Sequence, residues 1–268
     1  MTPAPATSSY SRFRFLSQPL SSIDENEQIR RPEFPFSNEV NSTRYPVRAL
    51  RYWWLNAAVH EEAARLGRGP SITDIGCDTG IIKRFILPVP KARWTGLDII
   101  TDRKGLEISG YDEVLKCDLD KGLPLDDASQ DIVICSHVLE HLPRPEFTVD
   151  EIVRVLTPGG MLLVGVPVAP KFVAELREKQ FRKQLAAGTR VPGQHIHMFS
   201  IGRITAMIER AGLNVEFTSG TALMRKKGSR LENYAAWIRF NQLWAAAFPS
   251  LGQELCVQAR KPVKEANE

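Results

Sequence analysis

Between residues 74 and 141 the sequence carries polar groups at spacings suited to binding a nucleotide-like ligand and moving a proton. The first group is Asp74-Ile75-Gly76-Cys77-Asp78-Thr79-Gly80, a glycine-bearing turn where backbone can approach a ligand closely and offer it amide donors. Asp98, with Ile99 after it, closes the apolar segment GLDI. An ionised carboxylate there can accept from both hydroxyls of a ribose-like diol. Asp118 and Leu119 in KCDL pair an acceptor with an apolar cover, and Ser136 and His137 follow DIVIC. A neutral imidazole near pH 7 can take a proton, which makes His137, His141 and His195 the candidate bases. His195 and His197 alternate, so in extended chain one of them faces away from the site. A dinucleotide fingerprint needs G-x-G-x-x-G, and the turn has only Gly76 and Gly80 with an acid between them. That argues against a nicotinamide dehydrogenase.

These residues need elements to hold them. SITDI, ARWTGLDI, YDEVLKCDL, DIVICS and GMLLVGVP read as strands, with helical patterns starting at TGIIKRFIL and spanning PEFTVDEIVRVL. The alternation predicts an α/β fold: a Rossmann-like, doubly wound, mostly parallel seven-stranded sheet with helices on both faces. A helix over residues 48–66 precedes it. After Pro167 come a basic helical stretch, KFVAELREKQFRKQLAAG, the His195 loop, helix IGRITAMIERAGL, strand NVEFTSG, an aromatic-rich helical segment and a final antiparallel strand, ELCVQARK. Ligands of such sheets bind at the carboxyl ends of the strands, where strand order reverses. The expected organisation is an arm over residues 1–42, one domain over residues 43–262 with inserts near 168–198 and 225–248, and a tail over 263–268.

In this order the motifs resemble those of class I S-adenosylmethionine-dependent methyltransferases, of the type 11-like group. DIGCDTG is similar to that family's acid plus G-x-G-x-G, with Gly76 and Gly80 on its first and third glycines and Asp78 on the middle one. The resemblance implies that this turn wraps the methionine end of the cofactor, with Asp74 fixing its ammonium group. It further implies that Asp98 takes the ribose hydroxyls, that Asp118 and Leu119 take the adenine, and that Ser136 and His137 stand beside the methionine portion. VLTPGGMLLVGVP matches the family's closing helix, turn and strand, with Pro158, Gly159 and Gly160 as the turn. LEHL and the histidine loop are similar to ubiquinone-biosynthesis and many small-molecule and sugar methyltransferases. The function so implied is methyl transfer to oxygen or nitrogen of a small molecule: a saccharide, a natural-product intermediate or a quinone-like phenol. Asp78 in place of glycine keeps an alternative open, a binding or scaffold protein without turnover. His137, Glu140 and His141 with a later His195 or His197 are in part similar to the metal-binding E-x-x-E-H and distant His of small-RNA 2′-O-methyltransferases and some quinone O-methyltransferases. His137 stands where that pattern has its first Glu, so no metal is expected.

The rest of the chain sets bounds. A net charge of +4 without dense basic clustering gives no sign of a nucleic-acid partner. No apolar run reaches the roughly 20 residues of a membrane span. Cys77, Cys117, Cys135 and Cys256 are widely separated and read as buried thiols in a reducing compartment, and with no apolar leader near residue 1 the expected location is the cytoplasm. Lys171, Arg177, Lys179, Arg182 and Lys183 read as a solvated helix face. Tyr234, Trp237, Phe240, Trp244 and Phe248 recur near helical spacing and are expected to pack in the core, with an apolar acceptor pocket or peripheral membrane contact as the alternatives. The inserts are expected to choose the acceptor. The oligomeric state is not legible.

Overall fold

Strands that read as unbroken apolar runs are those buried on both faces: residues 132–135 and 162–164 have no exposed surface. The computed structural model describes residues 46–188, 194–224 and 230–263. The arm expected over residues 1–42 and the tail after residue 263 lie outside them. In chain order the elements are α1 (Pro46–Leu66), β1 (Ser71–Ile75), α2 (Ile81–Phe85), β2 (Arg93–Asp98), β3 (Glu113–Lys116), β4 (Gln130–Ser136) and a 3-10 turn (Leu139–His141). There follow α3 (Pro145–Val155), β5 (Leu156–Pro167), α4 (Lys171–Ala186), α5 (Ile201–Arg210), β6 (Asn214–Gly220), α6 (Ala235–Ala247) and β7 (Glu254–Arg260).

The strands form one sheet in the order β3-β2-β1-β4-β5-β7-β6. β1 to β5 pair in parallel, and β7 runs antiparallel to both β5 and β6. This is the expected doubly wound sheet with its last strand reversed. Order turns back between β1 and β4, which puts the ligand crevice over their carboxyl ends. On one face Trp53, Trp54 and Leu55 of α1 join Phe85 and Trp94 over Ile72 and Ile132. On the other, Ile152 of α3 and Ile204 and Met207 of α5 cover Val133 and Val164. Residues 51–55 are all buried, so α1 is enclosed all round at that turn and Arg51 lies inside.

Three expectations are corrected. α2 has five residues where TGIIKRFIL promised a longer helix. Pro158, Gly159 and Gly160 do turn the chain, but inside the span of β5 rather than ahead of it: pairing with β4 jumps from Leu156 to Met161, and Gly159, at φ 77°, donates to the Lys261 carbonyl at 2.9 Å. The aromatic stripe of α6 is not core. Gly220 of β6 lies so close that a Cβ there would meet the Ala245 carbonyl at 2.6 Å. Such an approach leaves the inward face to Ile238, Asn241 and Ala245, while Tyr234, Phe240 and Phe248 are exposed and Trp237 and Trp244 half-buried. The displaced rings pack on one another, Trp237 on Phe240 at 5.7 Å and Trp244 on Phe248 at 4.9 Å. The basic residues of α4 are exposed and the four cysteines are free and buried, both as expected. No helix among the described residues is long and apolar enough to cross a membrane.

Candidate functional site

A cavity of about 650 Å³ opens over the carboxyl ends of β1, β2, β3 and β4. Gly76, Cys77 and Asp78 from the first turn, Asp98 and Ile99 from β2, and Asp118 and Leu119 after β3 line one half. Asp98 is held in place by two backbone donors, Asp78 N–H to Oδ2 and Ile100 N–H to Oδ1, both at 2.9 Å. An ionised carboxylate has about four acceptor positions, so two remain for a diol. The turn's own amides are not free, contrary to their expected role. Gly76 and Cys77 donate to the Leu97 carbonyl, at 2.7 and 3.1 Å, and Gly80 donates to the Cys77 carbonyl at 2.7 Å. This half therefore presents carboxylates to the cavity. Asp78 takes φ 48°, the conformation glycine would supply, and its carboxylate pairs with Arg103 at 3.1 Å.

Asp74 and Gly80 do not reach the wall. A Cβ at Gly80 would meet the Ser109 side chain at 2.2 Å, so this glycine serves a close contact behind the turn. Asp74 is fully buried, and its Oδ2 accepts from the Tyr111 hydroxyl. Its Oδ1 has no partner among the described residues. Burial pushes its pKa up to about 7; the charges of Asp98 and Asp78 add to the rise and the Tyr111 bond opposes it.

The other half holds charges that sequence reasoning missed. Arg51 and Tyr52 of α1 share it with Ser136, His137 and His141. His137, at φ 59°, sets its Nδ1 3.1 Å from Glu140 Oε1 and its Nε2 against Glu254 Oε1. Glu254, at the head of β7, also binds Arg51 Nε (2.8 Å to Oε1) and accepts from Thr221 Oγ1 at 3.1 Å. An imidazole with a carboxylate on each nitrogen carries both protons. Burial disfavours that charge, but the Glu254 carboxylate, helped by Glu140 and opposed by Arg51, outweighs it and raises the His137 pKa. Glu254 is held at about 2, burial being outweighed by Arg51 and His137. With both ring nitrogens engaged by carboxylates, His137 has no nitrogen open to the cavity for the base role for which its position made it a candidate.

His141 lies on the wall, and His195 packs edge-on behind it with ring centroids 4.8 Å apart. The Glu140 carbonyl accepts from the amides of Ile196 and His197, at 2.7 and 3.0 Å, which ties this loop to the 3-10 turn. Burial lowers the His195 pKa, and its neighbours His141, His137 and Arg177 add to this, against Glu140, so His195 is neutral near pH 7. His197 faces away, with Nδ1 3.1 Å from Glu178, as the alternation predicted. Ligand atoms of Glu140, His141 and His195 lie within 4.8 Å of one another, and Glu140 Oε2 is buried without a partner among the described residues. Two imidazoles and a carboxylate are a set that can hold a divalent ion. The residues for a metal are therefore together although none was expected from the motif.

Arg51, Tyr52, Arg103 and Glu254 were not singled out in the sequence. Arg51 carried a signal: an arginine between Leu50 and Trp53 in an apolar helix has to be buried, and a buried cation requires a carboxylate. Among the described residues neither insert supplies the wall of the cavity, and the α6 aromatics do not line it.

Known proteins resemble the chain in sequence and in fold. The model of a family described as a methyltransferase domain matches residues 15–217. A protein of Mycolicibacterium smegmatis, named a probable S-adenosylmethionine-dependent methyltransferase, is 30% identical over 174 residues, 63% of this chain and 62% of its own length. A ubiquinone biosynthesis O-methyltransferase of Xylella fastidiosa is 26% identical over 161 residues, 57% of this chain and 64% of its own. The chain thus spans less than two thirds of these curated relatives. The solved structure of an S-adenosylmethionine-dependent methyltransferase from Mesorhizobium loti has a TM-score of 0.54 at 17% identity, over 80% of this chain and all of that one, a likeness of fold.

Proposed function

The chain belongs to the methyltransferase-domain family, as the class I resemblance implied, and from that premise we propose that it methylates a small-molecule hydroxyl or amine from S-adenosylmethionine. One observation carries the reading: a single cavity joins carboxylates suited to an adenosine with a histidine able to take a proton. The residues present fit the cofactor. Asp98 would hold the ribose hydroxyls, Asp118 the adenine amine, and Ile99 and Leu119 the faces of the base. Cys77 and Ser136 would flank the methionine portion, and Asp74, behind the wall with Oδ1 unpartnered, would act on the ammonium group through its charge rather than by contact. When bound, S-adenosylmethionine supplies a methyl group activated by its sulfonium. The chain's part is to align the acceptor, keep water out and receive the acceptor proton. His141 on the wall is the group that receives it, and neutral His195 behind supports it. Relatives named for ubiquinone biosynthesis favour a phenol-like oxygen as acceptor. The Asp78–Arg103 pair gives the unusual acid a partner at the cavity rim, which weakens the case for a binding protein without turnover.

The deciding experiment incubates the protein with a metabolite extract and methyl-labelled cofactor and reads labelled products by mass spectrometry. Cofactor binding without any labelled product would favour the scaffold alternative. Once a product is found, His141→Ala should lower kcat by about a hundredfold or more while S-adenosylhomocysteine affinity stays within about twofold. If EDTA silences the wild type and divalent ions restore it, the histidine pair acts as a metal ligand set instead.

Asp74 gives a pH prediction. A ligand ammonium stabilises the ionised carboxylate, so binding a cofactor to a group with a pKa of about 7 releases a proton. Affinity for S-adenosylmethionine should therefore rise by about tenfold from pH 6 to pH 8. Titration calorimetry should show that rise flattened in Asp74→Asn, and an equally steep rise in the variant would remove Asp74 from the site.

A further inference from the structure

We propose that the outward face of α6 is a docking surface for an anionic lipid bilayer, independent of what the cavity binds. A helix that packs on a sheet ordinarily turns polar residues to water. α6 does not: Ala236, Phe240, Leu243 and Ala247, spaced four, three and four residues apart, form an outward stripe without a polar side chain. Asn241 is fully buried, where its Oδ1 accepts from the amides of Leu223 and Met224 and its Nδ2 donates to the Trp237 carbonyl. Arg239 and Gln242, the other polar residues of the helix, bond to each other at 3.0 Å beside the stripe. The apolar surface continues past both helix ends, with Tyr234, Phe248 and Leu251 each at least 50% exposed. Seven of the fifteen exposed large apolar side chains among the described residues lie between residues 224 and 251. Exposure so concentrated marks an interaction site rather than the scattered apolar groups of an ordinary surface.

Charge selects the occupant. In the sequence, residues 221–253 hold Arg225, Lys226, Lys227, Arg230 and Arg239 against a single acid, Glu232, so this segment alone carries a net charge equal to that of the whole chain. Arg230 is exposed and opens the 3-10 turn that leads into α6. Apolar rings beside cations suit the boundary of an anionic bilayer, where the rings enter the acyl region and the cations meet the headgroups. A second copy on the same face would bring two positive segments together, and a neutral partner would leave them unanswered. The segment leaves the sheet after Gly220 and re-enters it at Glu254, both at the end of the sheet where the cavity opens. A chain seated through α6 therefore holds the cavity near the lipid.

The test sediments the full chain with vesicles of phosphatidylcholine, alone or with about 30% phosphatidylglycerol, in about 0.1 M salt. Binding to the anionic vesicles should be at least about tenfold tighter and should drop by about tenfold in about 0.5 M salt. Changing Phe240 and Leu243 together to Gln should weaken it at least about tenfold, and Arg230→Gln by about threefold to fivefold. Phe172→Gln, which removes a more exposed ring from α4, should alter it by less than about twofold. Phospholipid brominated on its acyl chains gives a reading that leaves the apolar stripe intact. It should quench the tryptophan fluorescence of the wild type, and Trp237→Phe with Trp244→Phe should remove most of that quenching. Equal binding to the two vesicle types, no binding to either, or quenching that survives loss of both tryptophans overturns the proposal. So does a loss in Phe172→Gln as large as that of the double change, which assigns the surface to α4. A doubling of mass in solution that the double change abolishes, without vesicle binding, gives the face to a second copy and overturns it as well.

Discussion

Asp98→Ala should weaken S-adenosylhomocysteine binding by about a hundredfold or more. Two hydroxyls bonded to one carboxylate are charge-assisted contacts worth about 1.5–3 kcal/mol each. The loss is compounded because Asp98 also anchors the Asp78 and Ile100 amides, which would turn to water or to the ligand once released. Asp98→Asn keeps one acceptor oxygen and should fall between the two. Titration calorimetry reads both, and the ligand-induced rise in melting temperature should vanish with Ala. A loss below about threefold would mean that the ribose is not held here.

Glu254→Ala should be the most destabilising single change near the cavity, by about 3–5 kcal/mol, because it leaves buried Arg51 and half-buried His137 without their common counter-ion. In a protein of this size that is a fall in melting temperature of roughly 10 °C. Glu254→Gln, which keeps an acceptor without charge, should fall less. The pH dependence has two opposite limbs. Glu254 is held at about 2 against an ordinary 4.5, so its contribution is present above pH 4.5 and fades as the pH drops toward 2. His137 is raised above 6.5, so its contribution is complete below that value and is lost as the pH climbs through the raised pKa. Urea unfolding should therefore separate wild type from variant most between pH 4.5 and pH 6.5. A gap under about 1 kcal/mol at pH 6 would refute the buried charge network.

The cavity half lined by residues 76–120 was largely legible because its parts are sequential: a turn, then strand ends that each carry one acid, in chain order. Asp98 and Asp118 could be placed from periodicity plus the rule that ligands meet such sheets at strand ends. What periodicity could not show was where the amides of residues 76–80 would point, since the Leu97 carbonyl that takes two of them comes from another strand. The other half was illegible for the same reason, magnified. Arg51 and Glu254 are separated by about two hundred positions and meet only because β7 lies beside β5. The stripe on α6 was read as core since aromatic spacing reports helicity; which face is buried depended on Gly220, a residue of another element.

The position of β7 carries a consequence for how the protein is made. Its residues leave the ribosome after those of every other strand, yet it occupies a place inside the sheet, between β5 and β6. Until it threads in, β6 has no neighbour in the sheet and the cations at residues 51 and 137 have no Glu254 between them. Asp98 and Asp118, by contrast, are made well before Glu254. The charges of Arg51 and His137 meet Glu254 only when β7 arrives, so this half of the cavity is the last part of the described fold to settle.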